Sequence, residues 1–94
     1  MNRITFSGNL GSDARLINTQ EGKAFIAFAV ADKGENPIWA ECTKSVTGQP
    51  AILPYLTKGK RVLVTGRAYA KSFQKENGET VPQLCIFVDE IELS

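Results

Sequence analysis

An all-β domain is the fold class this sequence predicts, and three observations carry it. Apolar and polar side chains alternate with a period of two through most of the chain, the spacing of strands that bury one face. Turn residues recur between those runs: Gln20-Glu21-Gly22-Lys23, Asp32-Lys33-Gly34-Glu35-Asn36-Pro37 and, as a strong hairpin signal, Asn77-Gly78. Only Ala51 to Leu56 bunches its apolar residues, and Pro54 denies that segment any helical length.

The first strand runs from Asn2 to Leu10, with Ile4, Phe6, Gly8 and Leu10 set against Arg3, Thr5, Ser7 and Asn9. Its glycine marks a place where a bend or a close approach is tolerated. Gly11-Ser12-Asp13 breaks the pattern, and Ala14 to Thr19 resumes as an extended segment with Leu16 facing in. Ala24 to Ala31 is the second strand: Ile26, Phe28 and Val30 share one face, and Phe25 lies opposite with Ala27, Ala29 and Ala31. The third strand, Ile38 to Val46, sets Ile38, Ala40, Cys42 and Val46 against Trp39, Glu41, Thr43 and Ser45. A single short helical turn within Ala51 to Leu56 ends at Lys58-Gly59-Lys60. Val62 and Val64 open the fourth strand, which passes through Gly66 to Phe73. The fifth extends from Thr80 to about Val88 with Leu84, Ile86 and Val88 on one face, and Ile91 and Leu93 finish the chain. Five strands with one short helix between the third and fourth match the partly open five-stranded Greek-key barrel of the OB-fold. With 94 residues, the chain makes one such domain over 1–94. A domain of this size buries only about 60 to 65% of its surface, so self-association is a natural supplement.

Function is most legible in Arg67-Ala68-Tyr69-Ala70-Lys71-Ser72-Phe73. In a strand, Arg67, Tyr69, Lys71 and Phe73 share one face, offering rings for unpaired bases and cations for phosphates. The same spacing also fits an exposed sheet face whose rings cover cross-strand neighbours and whose cations are solvated. Trp39, the only tryptophan, falls among Glu, Thr and Ser on the polar side of its strand, where it serves either as a ring for a base or as cover for a core edge or an interface. Phe25 is a further surface ring, or a contact for a packed loop or a second subunit. Arg3 joins the group from the polar face of the first strand. The net charge of +1 excludes a strongly basic mode of binding, so any nucleic-acid site must come from local clustering. Such clustering is present: Lys58, Lys60, Arg61, Arg67, Lys71 and Lys75 fall in eighteen positions that hold no acid.

The order and spacing of several fragments resemble the bacterial single-stranded DNA-binding protein family over nearly the whole chain. They are MNRITFSGNLG followed by Asp13, Trp39, Tyr55-Leu56-Thr57-Lys58-Gly59, Val62-Leu63-Val64-Thr65-Gly66, and Phe73 ahead of Gly78. The resemblance implies an OB-fold that binds unpaired DNA with little sequence preference in replication, repair or recombination, and that assembles as a homo-oligomer, a tetramer or dimer. It implies base stacking on Trp39 and Phe73 and backbone contacts at Lys58 and Lys71; Tyr69, Arg67, Arg3 and Phe25 come from strand periodicity alone. Family members often carry further aromatics where this chain has Lys33-Gly34 and Ser45, so a reduced stacking surface is expected. The family's flexible acidic tail, which recruits replication and repair proteins, is also expected to be missing, since the sequence stops at Ser94 and Glu90-Ile91-Glu92-Leu93 adjoins the last strand.

Catalysis finds no support: the chain has no histidine, no phosphate loop and no Cys or carboxylate set at metal-binding spacing, so neither cofactor nor metal is expected. Cys42 and Cys85 read as reduced thiols of a cytoplasmic protein, bacterial or encoded by a phage or plasmid. No apolar run reaches the roughly 18 residues of a membrane span, and no membrane partner is expected. The rival function is an OB-fold protein-interaction module of the primosomal protein N type with secondary single-strand binding; a purely structural oligomerisation domain is a third.

Overall fold

The computed structural model describes residues 2–48 and 50–94. Its strands are β1 (Arg3–Leu10), β2 (Arg15–Asn18), β3 (Ala24–Ala31), β4 (Trp39–Val46), β5 (Arg61–Gln74) and β6 (Thr80–Leu93), with a single 3-10 turn at Leu53–Tyr55 between β4 and β5. The sheet order is β1-β5-β6-β4-β3-β2, and a further β1–β3 pairing through Asn9–Ala31 and Leu10–Val30 closes five of the strands into a ring. All pairings are antiparallel except β4 with β6. This is the expected barrel with one strand more, because the extended segment after Gly11-Ser12-Asp13 pairs along β3 as the separate strand β2.

The inward rows are those the alternation specified, except that Ile38, expected to face in with Ala40 and Cys42, precedes the start of β4 and is 54% exposed beside Trp39. Leu10, Ile26, Phe28, Val30, Ala40, Cys42, Val62, Val64, Ile86 and Val88 meet in one core, and Leu56 from the 3-10 segment joins it fully buried. Each large apolar side chain taken out of water there contributes about 1.5 to 3 kcal/mol before entropy is counted. The N–H of Ala14 donates to the Leu56 carbonyl at 2.9 Å, and Gly59 donates to that of Leu10 at 2.8 Å, tying the segment to the end of β1. Pro54 at its centre limits the segment to one turn, as the sequence predicts.

Two glycines are required by close approach. A Cβ on Gly8 would strike the carbonyl oxygen of Ala31 where β1 crosses the end of β3. One on Gly66 would strike the Phe87 carbonyl, because the β5–β6 register slips there: Thr65 pairs with Glu90 but Gly66 with Val88. Asp89 is thus an unpaired bulge residue, and a bulge bends its strand and raises the local twist. The last strand consequently runs to Leu93 rather than ending near Val88, and Ile91 re-enters the inward row opposite Val64. β4 begins at Trp39, one residue later than the pattern suggested. No helix of the described residues is long and apolar enough to cross a membrane.

Candidate nucleic-acid interface

Outward side chains of β3, β4, β6 and β5 fall into register on one side of the barrel. Across the sheet, Thr43 of β4 lies beside Phe87 of β6, and Phe87 faces Arg67 of β5. In the next row Glu41 lies beside Cys85, and Cys85 faces Tyr69. Farther on, Gln83 faces Lys71 and its Nε2 donates to the Trp39 carbonyl at 2.8 Å; at the hairpin end Val81 faces Phe73. β1 adds Arg3 opposite Arg67. Successive rows two residues apart are about 6.6 Å apart along a strand.

Two aromatic hollows result. In the first, of about 610 Å³, Phe25, Arg67, Tyr69 and Phe87 stand around Thr43, Ser45 and Asp89. The Tyr69 and Phe87 rings stack with centroids 4.3 Å apart at 18°, and the Arg67 guanidinium carbon lies 5.2 Å from the Phe87 centroid. The second, of about 540 Å³, brings Trp39 and Phe73 together with Ile38, Lys75 and Pro82. Trp39 is held from beneath by Gly11, whose missing Cβ leaves the space its ring occupies. Trp39, Tyr69, Phe73 and Phe87 are 46, 38, 45 and 44% exposed, so each ring presents a usable surface without being loose. A third, smaller hollow of about 330 Å³ lies over Arg15, Ala27, Ala29, Glu41, Thr43 and Lys71.

The cations are less free than the acid-free stretch from 58 to 75 suggested. Lys71 Nζ lies 2.7 Å from Glu41 Oε2, and an Arg3 guanidinium nitrogen lies 2.8 Å from Asp89 Oδ2. The acids come from other strands, so segregation along the chain is undone across the sheet. The hydrogen bond to Glu41, with that carboxylate's charge, raises the Lys71 pKa above its ordinary value. Among the described residues Arg67 and Lys58 form no ion pair. The Lys58 side chain is exposed, and its backbone N–H donates to Asp13 Oδ1 at 2.8 Å, which brings its turn to the segment under Trp39.

All eight residues singled out from the sequence lie on this side or at its margin: Trp39 with Phe73 in one hollow, Phe25 with Arg67 and Tyr69 in the other, Lys71 between them, Arg3 and Lys58 at the edges. Phe87 went unnoticed in the sequence. It alternates with Ile86 and Val88 and therefore points outward, a signal present in the same period of two.

Both cysteines are buried and free. Cys42 belongs to the core, whereas Cys85 lies in the outward row beneath Tyr69; adjacent strands thus carry them to opposite faces of the sheet. Burial, reinforced by Cys85, pushes the Cys42 thiol up to about 12. Burial and then the neighbouring Cys85 also raise the Tyr69 phenol above its usual range. Among the described residues no group of three or more His, Cys, Asp or Glu side chains comes together as a metal cage.

The closed ring is that of an OB-fold, with an exposed aromatic face on one side of its sheet. The chain belongs to the single-strand binding protein family, whose pattern matches residues 1–94. It is 30% identical over 94 residues to the single-stranded DNA-binding protein of Chlamydia pneumoniae, covering 95% of this chain and 59% of that protein. Similar relatives are the single-stranded DNA-binding proteins of Mycobacterium leprae, 32% identical with 94% and 60% covered, and Borreliella burgdorferi, 28% identical with 99% and 69% covered. The chain therefore spans about 60% of the length of the first two relatives.

Proposed function

We propose that this protein binds single-stranded DNA, stacking unpaired bases on Trp39, Phe73, Tyr69 and Phe87, with Phe25 as a further ring at the margin, and holding the backbone through Arg67 and Lys58, with Arg3 available only to a phosphate that displaces Asp89. The observation that carries this is the convergence of four half-exposed rings and an unpaired arginine on one sheet face. Family membership and the names of the relatives support it. Each stacked base is worth on the order of 1 to 3 kcal/mol and every base has a flat face, so binding tolerates sequence. Duplex DNA is discriminated against because its bases already stack on one another. The role is binding, not catalysis, in protecting DNA exposed during replication, repair or recombination. We place that role in the cytoplasm, where reduced thiols such as Cys42 and Cys85 persist.

A homo-oligomer belongs to the same proposal. β1 pairs with β3 only through Asn9 and Leu10, which leaves Arg3 to Gly8 with one unpaired edge, and an exposed edge is a template for a second chain. Several faces on one strand raise the effective concentration and turn modest single-site affinity into tight binding. The deciding experiment follows the fluorescence of Trp39, the sole tryptophan, during titration with oligothymidylate and with duplex of equal length at low and high salt. Quenching by the single strand alone, weakening with salt, is expected; absence of binding by fluorescence and by an independent assay refutes the function. Sedimentation at the mass of one subunit refutes the oligomer.

A further inference from the structure

We infer that Glu41 is a specificity-determining residue of this face, accepting hydrogen bonds from exocyclic amino groups of unpaired bases and so favouring cytosine over thymine between the two aromatic hollows. The inference rests on the single-strand function proposed above. Glu41 is the outward residue of β4 midway between Trp39 and Thr43, each about 6.6 Å away along the strand. A strand of nucleotides that occupies both hollows must cross it.

Its surroundings keep the carboxylate upright and available. The cross-strand neighbour on β3 is Ala29, too small to cover it, and the neighbour on β6 is Cys85, fully buried. Lys71 engages Oε2 at 2.7 Å, and the Glu41 side chain remains half exposed. That contact orients the group and leaves Oε1 with acceptor capacity. An ionised carboxylate only accepts hydrogen bonds. Cytosine offers its N4 amino group to such an acceptor, whereas thymine presents a carbonyl at the equivalent position. Paired with Lys71, the carboxylate offers a phosphate no net attraction, so a base edge rather than the backbone is the better match where the strand crosses Glu41. Lys71 is a positioning residue on this account, and its charge is spent on Glu41 before any phosphate arrives.

The test compares affinities of the full chain for oligodeoxycytidylate and oligothymidylate of equal length, near neutral pH, in the wild type, Glu41→Gln and Glu92→Gln. Glu92 pairs with Leu63 near the end of β6, seven residues along that strand from the Cys85 that neighbours Glu41, so its variant matches the change of charge alone. The ratio of cytosine to thymine affinity is expected to fall about five- to tenfold in Glu41→Gln, the loss of roughly one charge-assisted hydrogen bond, and to stay put in Glu92→Gln. An oligomer of the 2-pyrimidinone nucleoside, which is cytosine without its amino group, probes the same contact from the ligand side. It is expected to bind the wild type several-fold more weakly than the cytosine oligomer, and Glu41→Gln equally to it. An unchanged ratio in Glu41→Gln, or equal binding of both oligomers by the wild type, overturns the inference and leaves single-strand binding standing. A wild type that binds no oligonucleotide overturns both.

Discussion

Replacing Phe87 by alanine separates the outward face from the fold that carries it. The Phe87 ring is 44% exposed, stacks on Tyr69 at 4.3 Å and lies 5.2 Å from the Arg67 guanidinium carbon, so it braces two other members of the interface. Losing the ring pair costs about 0.5 to 1.5 kcal/mol of stability and losing the exposed cation–π contact about 0.5 to 1. The fold should therefore survive, with unfolding free energy lowered by about 1 to 2.5 kcal/mol, well below the cost of emptying a core position. Binding should suffer more in proportion. One stacked base is worth about 1 to 3 kcal/mol, which predicts a roughly 5- to 150-fold rise in the dissociation constant for oligothymidylate. Anisotropy of a labelled oligonucleotide gives the binding change and guanidinium denaturation gives the stability change on the same preparation. A variant that loses a few kcal/mol of stability yet binds as tightly as the wild type would show that Phe87 is structural only, and the layered cluster would cease to be part of the interface. Tyr69→Ala should be nearly redundant with Phe87→Ala, the two single losses summing to more than the double.

Gly66→Ala should be far more damaging to the fold, because the new Cβ meets the Phe87 carbonyl and lies 2.8 Å from the Val88 Cα, both backbone atoms that cannot swing away. A loss of about 3 kcal/mol implies a melting midpoint lower by roughly 12 to 24 °C, and an unchanged midpoint would mean that the Asp89 bulge re-registers freely. With the Cys42 thiol pushed up to about 12 by burial, and Cys85 fully buried, neither should react with a disulfide reagent near pH 8 until denaturant is added; rapid labelling of the native protein would contradict the burial. Tyr69 has its folded pKa raised above 10, so its contribution is fully present below that ordinary value and is lost as pH rises through the folded one. Lys71, raised above 10.5 by Glu41, behaves in the same sense. Melting midpoints should accordingly show no dependence on either group from neutrality to about pH 9.5 and fall above pH 10, and Tyr69→Phe should lessen that fall; an equal fall in the variant would exclude the phenol as its source.

Local alternation carried most of what was legible in advance. The inward rows from Leu10 to Val88 and the outward positions of Trp39, Tyr69 and Phe73 follow from a period of two, which holds whatever the strands pair with. The hairpin around Asn77-Gly78 was legible for the same reason, its turn closing on Lys75 and Glu79. What stayed hidden depends on register between distant segments. Asp89 became a bulge only because Gly66 slips one residue along β6. The β4–β6–β5 stacking set Lys71 against Glu41, thirty positions away, and the bulge presented Asp89 to Arg3. A run of basic residues without an acid therefore said little about free charge. Phe87 is a different case, since the phase that buried Ile86 and Val88 already turned it outward.

Those cross-strand pairs decide what kind of interface this is. Two of the cations called upon for phosphate are committed to carboxylates at 2.7 and 2.8 Å, and exposed pairs of this sort contribute only about 0 to 1 kcal/mol to stability. Their consequence is therefore electrostatic rather than structural: a phosphate at Lys71 or Arg3 must displace an acid before it gains a counter-charge. Counterion release is correspondingly limited, and the slope of affinity against salt should approach that of Arg67, Lys58 and the other unpaired cations alone. Ring surface does not depend on ionic strength in that way. For the single-strand binding proposed above, four half-exposed rings and few free cations on a chain of net charge +1 favour what duplex DNA cannot offer, the flat side of an unpaired base.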